Sequence, residues 1–218
     1  MTSPGLETHS LGDSAITIRF SAEKSPALLA HIQAAAATIV RAKIDGVEDV
    51  VPAYLALTVF YDSLSRTYAD LAAHLLHICE SVGETAVDTT GAREHVIRTR
   101  YDGVDIESVA TATGLTAAEI IERHTARAYR VDLLGFVPGF AYMSELDESL
   151  SLPRRSHPRP RVAAGSVAIA GLQTAIYPLD TPGGWHIIGT TDMVMFDPTR
   201  PEPALLRAGD TVRFERVK

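Results

Sequence analysis

Residues 165–190 read GSVAIAGLQTAIYPLDTPGGWHIIGT, and this run decides the architecture of the second half of the chain. Three apolar runs, 165–170, 174–178 and 185–190, are divided by Gly171 and by a Pro/Gly cluster over 178–184. Runs this short, bounded by turn formers, suit strands rather than helices. Working outward, similar runs recur at 128–134, 193–196 and 211–216, and Ala208-Gly209-Asp210 turns into the last. Short strands at such spacing predict a sandwich or small barrel, closed so that few edges remain. Upstream, a strand over 94–101 leads into two short helices, 105–113 and 116–126. Thr116-Ala117-Ala118-Glu119 has the capping-box pattern that starts the second.

The first half has a different rhythm. Residues 15–20 alternate, with Ile16, Ile18 and Phe20 on one face. Ser25 followed by Pro26 marks a helix start, and Leu28, Leu29, Ile32, Ala36, Ile39 and Val40 fall on one helical stripe. Two β-branched runs, 47–51 and 55–60, flank Pro52. A second helix over about 66–82 has Tyr68, Leu71, Ala72, Leu75, Cys79 and Val82 on one face. The order β-α-β-β-α is most of a ferredoxin-like split unit. Periodicity fades and turn formers gather over 83–93, the expected linker. The fold class is therefore α+β, with a small domain over 1–88 and a β-rich domain over 93–218.

Composition narrows the function classes. The 218 residues carry a net charge of −7 and only three lysines, Lys24, Lys43 and Lys218. A nucleic-acid partner would need a basic stripe instead. No apolar run approaches the roughly 18 residues of a membrane span. The start shows no basic segment followed by an apolar one, and the single Cys79 cannot form an internal disulfide. A cytoplasmic protein, with no membrane partner, is expected.

Familiar catalytic patterns are missing. No glycine-rich segment ends in Lys-Ser or Lys-Thr, and neither G-x-G-x-x-G nor G-x-S-x-G occurs. Ser166 follows Gly165 at a strand start and reads as a turn residue rather than a nucleophile. His74 and His77 are three apart on a helix but point away from its apolar stripe, with no further ligand nearby, so no metal site is expected. Cys79 on the stripe reads as a small core residue.

One long stretch carries a resemblance. It begins at His124-Thr125 and Tyr129-Arg130-Val131, then runs through Leu134-Gly135-Phe136-Val137-Pro138-Gly139-Phe140 to Tyr142. Leu152-Pro153-Arg154, Pro160-Arg161, Gly165-Ser166-Val167, Gln173 and Ile176-Tyr177-Pro178 continue it, and Thr181-Pro182-Gly183-Gly184-Trp185-His186 closes it. Leu11-Gly12-Asp13 and Leu206-Arg207-Ala208-Gly209-Asp210 extend the match to both ends. The chain resembles the smaller of the paired carboxyltransferase-domain (C/D) subunits. That family includes allophanate hydrolase subunit 1, the B-type subunit of 5-oxoprolinase and Kip-type kinase inhibitors.

That resemblance implies a ferredoxin-like N-terminal domain and a cyclophilin-like β-barrel C-terminal domain. It also implies a sister subunit of related barrel type, and in 5-oxoprolinases a third, lactam-utilisation-type subunit. Two positions depart from the family pattern: Leu172 interrupts the usual double glycine before Gln173, and Ala175 replaces a glycine. Among the family's activities, ATP-dependent opening of 5-oxoproline is favoured, because the chain has no biotin-carrier or biotin-carboxylase segment. A carboxyltransferase role toward allophanate or urea and a non-catalytic kinase inhibitor are the alternatives. No cofactor is expected in this chain; ATP would be held by a partner.

The expected site is a substrate pocket in or beside the barrel, lined by Phe136, Pro138, Gly139, Phe140, Arg161, Ser166, Gln173, Tyr177 and Trp185. Glycines over 135–140 let a ligand approach the backbone, or else form a turn that packs its phenylalanines inward. Arg161 on a proline-stiffened segment suits a carboxylate, or a surface ion pair. Gln173 and Tyr177 share a strand face and offer amide and phenol groups. Trp185 follows a tight turn and either packs or stacks. His124 and His186 read as structural histidines before general bases. No catalytic group is assigned.

Overall fold

The computed structural model describes residues 5–82 and 92–218. The chain divides into two compact units, Met1–Gly91 and Ala92–Lys218. The expected linker at 83–93 lies, but for its last two residues, outside the described ones.

The first unit runs β1 (Gly5–Ser10), β2 (Ala15–Ser21), α1 (Pro26–Ala42), β3 (Val47–Pro52), β4 (Ala56–Tyr61) and α2 (Tyr68–Ser81). Its sheet has the antiparallel order β1-β2-β4-β3. The sequence reading lacked β1, whose GLETHS has a single large apolar residue and no alternation. Backbone pairing to β2, from Gly5–Ser21 to Ser10–Ile16, supplies what periodicity could not show. This strand takes the outer position that completes a ferredoxin-like sheet. At the start of α1 the Ser25 hydroxyl accepts from the Leu28 N–H, with Pro26 at the first helical position. Ile16, Ile18, Phe20, Leu57 and Val59 of the sheet pack on Leu28, Ile32, Ile39, Leu71, Leu75 and Cys79. Val40 is a correction to the helical stripe: one residue past Ile39, it turns into solvent. His74 and His77 are exposed, as their helical phase implies.

The second unit runs β5 (Glu94–Thr99), α3 (Ile106–Thr113), α4 (Ala117–Thr125), β6 (Ala128–Leu134), β7 (Ala141–Ser144), a 3-10 turn at Glu148–Leu150, β8 (Arg159–Val162), β9 (Ser166–Ala170), β10 (Gln173–Ile176), β11 (Thr181–Gly183), β12 (His186–Thr190) and β13 (Thr211–Arg216). The capping box at Thr116 and Glu119 is formed on both sides. Seven strands lie in the order β12-β9-β10-β7-β6-β13-β5, and β8 and β11 make a separate two-stranded ribbon. Past the end of β5, Arg100 exchanges two backbone hydrogen bonds with Thr190 of β12, at 2.8 and 2.7 Å, so the sheet nearly closes into a barrel.

All seven strands feed one interior cluster, including Ile97, Val131, Met143, Val167, Ile169, Ile176, Ile188 and Val212. The predicted strand at 193–196 is corrected: this segment makes one isolated bridge, Phe196 to Ala204, and no ladder. Strands β7, β8 and β11 were not read from the sequence: each is three or four residues long, and β8 and β11 are interrupted by Pro or Gly.

Candidate functional site

Strands β9, β10 and β12 are largely buried on both faces. One face of each joins the barrel interior. The other supplies a second cluster: Phe140, Ala168, Ala170, Ala175, Tyr177, Trp185 and Ile187. The three alanines leave room on this face for four aromatic rings. Phe140 meets Tyr142, Tyr177 and Trp185 edge-on, with centroids 4.9, 5.3 and 5.7 Å away. Gly183 is required beneath them, because a Cβ there would collide with the Tyr177 phenol.

Over these rings lies a cavity of about 220 Å³, lined by Phe136, Phe140, Tyr142, Arg154, Arg155, Pro158, Tyr177, the 182–184 turn and Trp185. Its lip is a sharp double turn. The Val137 N–H reaches back to the Gly135 carbonyl (2.8 Å) across Phe136, whose φ of 69° is left-handed. That is a γ-turn of the strained hand, costly for a side chain of this size. The Phe140 N–H then bonds the Val137 carbonyl (3.0 Å) around Pro138 and Gly139, the latter at φ 80°, as a type II turn demands. The result is a phenylalanine 60% exposed at the cavity rim.

The cavity wall is electropositive. Residues 153–155 are pinned by the Arg155 N–H to the Gly184 carbonyl (2.7 Å) and by the His186 Nε2 to the Pro153 carbonyl (2.9 Å). The Arg154 guanidinium lies 6.0 Å from the Trp185 ring centre. Arg155 Nη1 and Arg159 Nη2 both donate to one oxygen of Asp105, at 2.9 and 2.6 Å. The other Asp105 oxygen accepts the Ile187 N–H at 2.8 Å, so this residue does not cap α3 although it sits at the N-cap. Burial alone would raise the Asp105 carboxyl. Hydrogen bonds from Arg159 and Ile187, with the charges of Arg159 and Arg155, outweigh it and hold the group below the usual carboxylate range. Arg155 and Arg159 thus share one carboxylate, Arg154 and Arg155 line the cavity, and among the described residues no acidic side chain lines it. Arg155 Nε and Arg159 Nη1 are buried without a hydrogen-bond partner. Burial raises the Tyr177 phenol, against the opposing hydrogen bond from the Trp185 N–H, so it stays a neutral donor.

The structure therefore brings together four of the nine expected site residues: Phe136, Phe140, Tyr177 and Trp185. The other five are not among its lining residues. Pro138 and Gly139 shape the lip turn, and Gly139 backs onto Phe196. Arg161 pairs with Asp180 on the surface. Ser166 is buried, its carbonyl accepting the Tyr177 N–H. Gln173 lies on β10 between Ala170 and Ser144. Arg154 and Arg155 were missed as site residues. Their signal was a run of arginines over 154–161, with no acidic residue, in an acidic chain.

His124 is wholly interior. Its Nδ1 accepts from the Tyr101 hydroxyl (2.7 Å), its Nε2 donates to Thr174 Oγ1 (2.9 Å), and Thr174 passes its own proton to the Ala168 carbonyl (3.2 Å). Burial drives its pKa down to about 3, so it is neutral and fully engaged.

An α+β chain whose second unit is a nearly closed barrel with an aromatic, arginine-rimmed cavity defines a carboxyltransferase-type fold. The sequence profile described as carboxyltransferase domain, subdomain C and D, matches residues 6–206, and the chain belongs to that family. It is 42% identical to the Bacillus subtilis protein named as the B-type subunit of 5-oxoprolinase, over 95% of this chain and 91% of that one. The solved structure of TTHA0988 superposes with a TM-score of 0.82 at 39% identity, covering 94% of this chain; the chain spans 40% of that protein's length. Kluyveromyces lactis urea carboxylase shares the fold, with a TM-score of 0.80 at 17% identity, over 99% of this chain and 22% of its own.

Proposed function

We propose that this chain is the B-type subunit of an ATP-dependent 5-oxoprolinase, working with a sister carboxyltransferase-domain subunit and a third, lactam-utilisation-type subunit. The observation that carries this is the 42% identity to the Bacillus subtilis 5-oxoprolinase component along nearly the full length of both proteins. The chemistry is consistent with it. A lactam is a poor electrophile; transfer of the ATP γ-phosphoryl group to its amide oxygen gives ADP and an activated carbon. Water then adds there, the C–N bond breaks, and phosphate leaves as glutamate forms. The phosphates need a glycine-rich or basic cradle, and no phosphate-loop motif occurs in this sequence, so the ATP site is assigned to a partner. What this chain supplies is an aromatic slot with arginines in its wall, suited to orienting a small anion.

Glutamate release from 5-oxoproline, measured with and without each subunit, tests this. Release should need ATP and all subunits, and the chain alone should give none. Turnover of allophanate or urea in place of 5-oxoproline would move the assignment to a carboxyltransferase-type role. Inactivity of the full assembly on all three would leave the kinase-inhibitor class.

A further inference from the structure

The cavity has a size, a shape and a charge, and together they specify a ligand class. At about 220 Å³ it is smaller than the roughly 300–1,000 Å³ typical of sites for drug-sized molecules. Its floor is aromatic edges and, among the described residues, its wall holds no carboxylate, while Arg155 and Arg159 share the buried Asp105. Arg154 has no ion pair among the described residues and rests against the face of Trp185, leaving the edges of its guanidinium for a ligand. The strained turn at Phe136 places an aromatic ring over the opening, where solvent alone would favour a smaller residue.

We infer that this cavity seats a compact cyclic carboxylate, its ring against Phe140, Tyr177 and Trp185 and its charge on the Arg154 guanidinium. Phe136 covers the ring from the lip, and the Tyr177 hydroxyl donates to a ring carbonyl. Taking 5-oxoproline as that ligand rests on the function proposed above.

Trp185 is the one tryptophan of the chain, so its emission reports on this cavity alone. Titration of the free subunit with 5-oxoproline or cyclopentanecarboxylate should change that emission saturably, whereas 2-pyrrolidone, a lactam without the carboxylate, should act at least about tenfold more weakly. In the assembled enzyme Arg154→Ala should raise KM for 5-oxoproline about tenfold or more with a smaller effect on kcat. Arg154→Lys should fall between, and Phe136→Ala should raise KM as well. Both side chains are exposed, so circular dichroism should confirm intact folding. If the complex hydrolyses 5-oxoproline and both alanine variants keep the parental KM, the cavity assignment is overturned while the proposed function stands. If the complex does not act on 5-oxoproline, that function fails. The cavity is then judged by emission: a carboxylate-dependent response lost in Arg154→Ala supports it, and no response to any cyclic carboxylate overturns it.

Discussion

The two faces of the β9–β10 hairpin are a few ångströms apart and are finished very differently. On the inner face Thr174 and His124 close a chain of hydrogen bonds from Tyr101 to the Ala168 carbonyl, with every ring nitrogen used. On the outer face, beside Ala168, Ala170 and Ala175, lie a cavity, a strained aromatic lip and guanidinium nitrogens without partners. A satisfied buried network specifies one packing and leaves nothing for a ligand. Unused donors and retained strain cost stability and are kept where a ligand meets them. The contrast separates a fully engaged histidine from arginines that keep unused donors, a difference that residue type alone does not show.

The contrast can be broken most directly at His124. His124→Ala should destabilise the barrel unit by about 3–5 kcal/mol, because it opens a hole in the core and strands the Tyr101 and Thr174 hydroxyls. Denaturant midpoints measure this, and a loss under about 1 kcal/mol would mean the inner network is not what holds this face. Next, Gly183→Ala should cost about 1–3 kcal/mol through collision with Tyr177, and should also displace the cavity floor, so that 5-oxoproline no longer alters Trp185 emission.

The pH dependence follows from the same histidine. Its folded pKa of about 3 lies below the ordinary imidazole value of 6.5. Between these values the unfolded chain binds a proton that the folded one does not. Stability from this group is therefore complete above about pH 6.5 and falls with decreasing pH by up to about 1.4 kcal/mol per unit until the folded value is reached. Urea unfolding between pH 7 and 4 should show a shallower slope in His124→Gln. An unchanged slope would mean that His124 does not carry this loss; Asp105, held below the ordinary value of 3.8, loses its contribution only at lower pH and cannot supply it in this window.

Smaller effects sharpen the outer face. Phe136→Gly relieves the left-handed strain, so stability should hold or rise by up to about 1 kcal/mol while KM for 5-oxoproline rises. Coupled loss of stability would show that the lip is packing rather than a ligand cover. Smallest of all, Arg161→Ala should leave the melting temperature unchanged, since its ion pair with Asp180 is solvent-exposed. A fall in activity there would show that the site extends beyond the cavity.

Much of this fold was legible because burial imposes a period. The α1 and α2 stripes, the capping box at Thr116 and the strands 128–134 and 211–216 follow from local spacing. What escaped was structure whose cause is non-local. Strand β1 exists because β2 offers a free edge, and β8 and β11 exist because they find each other across the whole β9–β10 hairpin. The run 193–196 has strand-like composition and no ladder partner.

By itself the sequence determined the α+β class, the helical stripes, the barrel-like second half and the family to which the chain belongs, since each rests on residue order and spacing. It also singled out Phe136, Phe140, Tyr177 and Trp185, because aromatics beside Pro and Gly are unusual enough to be noticed. Only the tertiary structure decided where each arginine goes. Arg154, Arg155, Arg159 and Arg161 are alike along the chain, yet one lies against Trp185, two share Asp105 and one pairs with Asp180 at the surface. A guanidinium's role is set by which carboxylate reaches it, and Asp105 is some fifty residues away in the chain. No local pattern encodes that distance.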